Sequence, residues 1–165
     1  MARVDKTMTF MRFLTPEWRD GELTDEQYER AVADYEKTLQ SVRAALPAEM
    51  QQFLESSSLH DALVRKASLD RDRTFRLALR SGDLQSGYMD VDLEYRQVEE
   101  LRGLPSVEAV LDDANAEIIA HEVDVLPDGS LEHRFLFAPE GEIRIHFRAF
   151  GFTVAPVASR ESERS

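Results

Sequence analysis

The chain contains no cysteine, which removes disulfides, zinc–thiolate centres and thiol nucleophiles at once. Its 7 glycines are scattered, mostly at turns, and none belongs to a phosphate-cradling loop or to a G-x-S-x-G nucleophile elbow. The run Ser56-Ser57-Ser58 reads as a helix stop. No apolar stretch approaches the roughly 18 residues of a membrane span, and Arg12 interrupts the apolar residues of the opening before they reach signal-peptide length. The expectation is a cytoplasmic protein without a membrane partner. Positive charge is also scarce: 20 Lys+Arg stand against 32 Asp+Glu, a net charge of −12. Such a chain repels phosphate backbones, so nucleic-acid binding is not expected.

What is present suits one domain. A length of 165 residues with 42% hydrophobic content can bury a real core. Residues 1–158 read as that domain, with 1–7 an N-terminal extension and 159–165 a frayed polar tail. Residues 8–14 read as a short strand or buried lead-in segment. Thr15 follows as a helix N-cap with Pro16 at the first helical position, and Trp18 as an anchor. Thr24-x-x-Gln27 is a capping box. Tyr28, Val32, Tyr35, Leu39, Val42 and Leu46 then recur at alternating spacings of four and three, one apolar stripe on a long helix. Pro47 ends it, and a shorter helix runs through Met50, Phe53 and Leu54.

After Ser58 the apolar period becomes two. Phe75, Leu77 and Leu79 alternate with Arg76 and Arg80; Met89, Val91, Leu93 and Tyr95 alternate with Asp90, Asp92, Glu94 and Arg96. This is the pattern of half-buried antiparallel strands. Residues 99–116 read as a connection holding a short helical turn. Strands near 117–125, 131–138 and 142–150 follow, separated by Pro127-Asp128-Gly129 and Pro139-Glu140-Gly141, each read as a three-residue hairpin loop. That register places Val123 opposite His133, His121 opposite Phe135 and Ile119 opposite Phe137, then Phe135 opposite Ile145. Phe150, Phe152 and Val154 extend the sheet. The fold expected is α+β: an N-terminal long helix plus a shorter helix on one antiparallel, meander-type sheet.

Two clusters are candidates for function. Asp90, Asp92 and Glu94 form a row on one face of a strand, and Asp112 and Asp113 sit within Gly103–His133, a stretch with no Lys or Arg. Alternate residues of a strand lie almost 7 Å apart by the strand rise, too far to share one ion, so the acids read as a solvated or partner-facing surface. The second cluster is His121 and His133, on the inward face of neighbouring strands. Metal binding needs a third converging ligand, and only Glu117 shares their face, two pairs away. His60-Asp61 looks like a dyad, but adjacent strand residues point to opposite faces. No cofactor, metal or catalytic residue is expected.

Three stretches resemble an uncharacterised bacterial family of small intracellular proteins. They are Phe13-Leu14-Thr15-Pro16-Glu17-Trp18; Leu59-His60-Asp61-Ala62-Leu63-Val64 with Phe75-Arg76-Leu77-Ala78-Leu79; and Ala116–Ile119 through Glu132–Phe137 and Glu142–Phe147. The resemblance implies a sheet fold and carries no activity. In general character the chain also resembles bacterial immunity proteins, which bind and block toxins. The leading expectation is a non-enzymatic module binding a basic protein partner through its acids. The alternatives are a small-ligand binder or enzyme with a pocket near His121 and His133, and a structural subunit of a homo-oligomer. The oligomeric state is not legible.

Overall fold

The structure, a computed structural model, describes residues 8–159. The extension expected at 1–7 and most of the tail expected at 159–165 lie outside the described residues. Residues 8–14 form neither helix nor strand. Thr15 stands at the N-cap position of a one-turn helix α1 (Pro16–Arg19) without a side-chain capping bond, and Trp18 stacks on Tyr28 with centroids 5.1 Å apart. The capping box of Thr24 and Gln27 opens α2 (Asp25–Val42). Helix α3 (Ala48–Ser56) follows Pro47.

Eight strands form one antiparallel sheet: β1 (Ala62–Leu69), β2 (Phe75–Asp83), β3 (Gly87–Arg96), β4 (Glu100–Leu104), β5 (Glu117–Val125), β6 (Leu131–Ala138), β7 (Glu142–Phe147) and β8 (Ala149–Val157). Their order is β4-β7-β6-β5-β1-β2-β3-β8. The α+β class is as expected, with two local meanders, β1-β2-β3 and β5-β6-β7. The sheet is more than a meander, because β4 and β8 cross to its opposite edges. Strand β4 and helix α4 (Val107–Leu111) both lie in the expected connection 99–116. Gly103 lets α4 sit directly on β4, since a Cβ there would lie 2.3 Å from the Val107 nitrogen.

The sheet folds over on itself. β3 and β6 are four strands apart, about 19 Å in a flat sheet at the usual spacing, yet the Tyr95 hydroxyl lies 2.8 Å from His133. Two half-sheets therefore face each other, β4-β7-β6-β5 and β1-β2-β3-β8. At one end they are joined by a bent ribbon: 87–104 pairs with 142–157 almost throughout, with Arg148 N–H on Arg96 O and Glu99 N–H on His146 O at the corner. At the other end the seam is narrow, only Ala62–Ile118 and Leu63–Glu117.

The helical cover differs from the expectation. The long helix is neither the first element nor the lid of the sheet; none of its residues is buried. It lies against the edge of β5 that the short seam leaves open, where the Tyr35 hydroxyl accepts the Val123 amide at 2.9 Å. The plug is α3. Met50 and Phe53 are fully buried, and Phe53 meets His121 and His133 of one half-sheet and Phe150 and Phe152 of the other.

The first hairpin has the expected register, Val125 opposite Leu131, with Gly129 in the left-handed region at φ +85. Two registers are corrected. A bulge between Ile118 and Ala120 puts Ile118, not Ile119, opposite Phe137. At the second turn Phe137 N–H bonds Gly141 O, so Ala138, Pro139 and Glu140 make the loop and Phe135 faces Ile143, not Ile145. That slip is of two residues, so every side chain keeps its face; a slip of one would have inverted the strand.

Candidate functional site

His121 of β5 and His133 of β6 stand diagonally, as the register implies, and meet within the core. His121 Nδ1 is 2.9 Å from His133 Nε2, and His133 Nδ1 is 2.8 Å from the Tyr95 hydroxyl. Tyr95 and His133 are fully buried; His121 is partly so. Burial raises Tyr95 well above its usual pKa, so its O–H is retained. With Tyr95 donating to His133 and His133 donating to His121, both fully buried groups are satisfied. The one nitrogen left over then belongs to the partly exposed ring.

Burial also keeps both imidazoles neutral. It lowers His121 from 6.5 to about 4, and His133 well below its usual value, where His121 and Arg134 add to the effect. These groups bind protons more readily in the unfolded chain. Their contribution is therefore complete above about pH 6.5 and shrinks as the pH falls toward 4. For His121 alone the loss at pH 5 is about 2 kcal/mol. Urea unfolding of the wild type and His121→Gln at pH 7.5 and pH 5 should show a shallower pH dependence in the variant. Equal slopes would mean that His121 does not titrate this way.

The acids are dispersed by the fold. Asp90 is only 2% exposed, held by Arg80 at 2.9 Å and Arg65 at 3.0 Å; it is not part of a partner-facing row. Glu94 lies between Arg76 and Arg96, and Asp92 is half-buried within reach of Thr153. Asp113 caps the turn to Asn115, which leaves Asp112 exposed at the end of α4. An open groove of about 560 Å³ runs over the outer face of β1-β2-β3-β8, lined by charges of both signs, Lys66, Arg76, Asp92 and Glu94 among them. His60 and Asp61 are exposed, 3.6 Å apart, at the turn into β1. Among the described residues no group of three His, Cys, Asp or Glu could hold a metal ion, and no helix is long and apolar enough to cross a membrane.

A further constellation escaped the sequence reading. On the outer face of β5, β6 and β7, Arg134 (1% exposed) bonds Glu122 (0% exposed) at 3.1 Å and Glu132 at 3.2 Å. Residues 9–14 lie over Glu122 and Glu142. The signal available was indirect: residues 8–14, read as a short strand or buried lead-in segment, needed a face to cover.

No family model, curated protein or solved structure matches this chain.

Proposed function

We propose that this chain is a non-enzymatic protein-binding module, immunity-like or regulatory in character, that engages a basic partner. The observation that carries this reading is where charge remains once the ion pairs are formed. Asp25, Glu26, Glu29, Asp34 and Glu36 of α2 are all exposed and make no ion pair among the described residues, and the helix offers only Arg30 and Lys37 against them. Glu108 of α4 and Asp112 at its C-terminal end are exposed in the same way. An acidic surface of this kind raises association rate and selectivity for a basic protein, and salt weakens it. The histidine cluster favours catalysis less, because both nitrogens of His133 and Nδ1 of His121 are engaged with one another and with Tyr95 inside the core.

The test is capture from a lysate of the source organism on the tagged chain, eluted by a salt step. It is run in parallel with a Glu29→Lys, Asp34→Lys, Glu36→Lys chain, whose changes touch only exposed side chains. A stoichiometric basic protein held by the wild type and lost by the charge-reversed chain is the expected result. The same proteins on both chains, or none on either, would sink the reading.

A further inference from the structure

Residues 9–14 are held to the sheet in an unusual way. Their amides find no partner strand; instead five consecutive main-chain N–H groups donate to two buried carboxylates. Glu142 Oε1 accepts Phe10 at 2.9 Å and Met11 at 3.2 Å, together with the Thr9 hydroxyl at 2.6 Å. Glu122 accepts Arg12 at 2.9 Å, Phe13 at 3.0 Å and Leu14 at 2.7 Å. Hydrogen bonds from main-chain amides to a carboxylate are charge-assisted and indifferent to side-chain identity. Sequence preference comes from three further contacts. Met11 is 3% exposed and inserts against Ala120 and Leu136, in a small cluster separate from the main core. The Arg12 guanidinium reaches Asp124 at 2.6 Å although 58% of its side chain stays exposed. The Phe10 ring lies 4.7 Å from the Arg144 guanidinium.

The segment thus sits on the sheet as a peptide ligand does. We propose that the outer face of β5, β6 and β7 is a binding site for an extended peptide segment of a partner protein, which residues 9–14 occupy in cis. The matching partner segment carries an apolar residue, a basic residue and two apolar residues in succession, the pattern of Met11-Arg12-Phe13-Leu14. This goes beyond the acidic-helix reading, since it uses none of the residues of α2 or α4, and either can fail without the other.

A tethered segment has an effective concentration in the millimolar range, so a free peptide competes poorly with it until the strap is weakened. The experiment uses the full chain carrying Met11→Ser and Arg12→Asp, which removes the apolar insert and sets a carboxylate beside Asp124. A fluorescein-labelled peptide of residues 8–15 is titrated in and followed by anisotropy. Saturable binding at least about tenfold tighter than to the unaltered chain, and lost again on adding Glu142→Ala, is the expected result. No saturable binding to the weakened chain, or equal binding to both chains, overturns the proposal. Hydrogen exchange on the unaltered chain supplies an arm that needs no variant. Amides of Phe10 to Leu14 should exchange at least about a hundredfold faster than those of β6, because the strap opens locally. Exchange of both sets at one common rate would show the segment to be an inseparable part of the fold.

Discussion

Arg134→Met is expected to lower the unfolding free energy by about 3–5 kcal/mol, the usual result of removing one partner of a buried ion pair. The side chain is 1% exposed among three acids, Glu122, Glu132 and Asp124. Methionine fills much of the volume but leaves Glu122, itself wholly buried, with only main-chain amides as partners. Lysine should recover only part of the loss, because a single ammonium cannot reproduce a planar fork that meets several carboxylates. Arg148→Met is the control. Its partners Glu99 and Asp128 are solvated, and exposed pairs contribute about 0–1 kcal/mol. Urea titrations of the three variants decide the matter. A loss at Arg134 no larger than at Arg148 would mean that the network is not load-sharing in the folded state.

Phe53→Ala should cost about 3–5 kcal/mol by cavity formation, with a consequence that an ordinary core truncation lacks. The ring touches aromatic groups of both half-sheets, and no ladder of hydrogen bonds spans the gap it fills. Near-ultraviolet circular dichroism should therefore weaken, as Phe150 and Phe152 lose a fixed neighbour, while the far-ultraviolet strand signal persists. Phe53→Leu should recover more than half of the stability. Equal losses for Ala and Leu would point to a specific ring contact, not volume, as what matters.

Much of the secondary structure was legible because local rules govern it. Thr24 and Gln27 announced the start of α2, the alternation at Phe75–Leu79 and Val91–Tyr95 fixed faces, and Pro127-Asp128-Gly129 fixed a register. What was not legible is long-range. Nothing local tells that Val32, Tyr35, Leu39 and Val42 of the stripe stay half-buried, that Tyr28 at its start is exposed, and that the interior is filled by Leu46 and the shorter helix. The short strand Glu100–Leu104 alternates too briefly to stand out, and it exists because β7 offers it an edge. The site suffers from the same limit. Asp90 looked like its neighbours Asp92 and Glu94, and only the fold brings Arg65 to it. The stretch Gly103–His133 looked like unrelieved negative charge, yet Glu122 and Asp124 receive Arg134 and Arg12 from outside it. Charge counted along a chain is not charge displayed on a surface.

The position of β3 has a bearing on biosynthesis. Its outer neighbour is β8, and the pairing from Tyr88–Val157 to Arg96–Ala149 joins segments made more than fifty residues apart. On the ribosome β3 must wait as a naked edge, with Val91, Leu93 and Tyr95 on its apolar side, until the last strand emerges. Such an edge invites pairing with another nascent chain. Asp90, already within reach of Arg80 on the preceding strand and Arg65 on the one before it, places a charge where an intruding strand would have to desolvate it. The residue that fails as a docking surface in the finished protein is thus well placed as a guard during its synthesis.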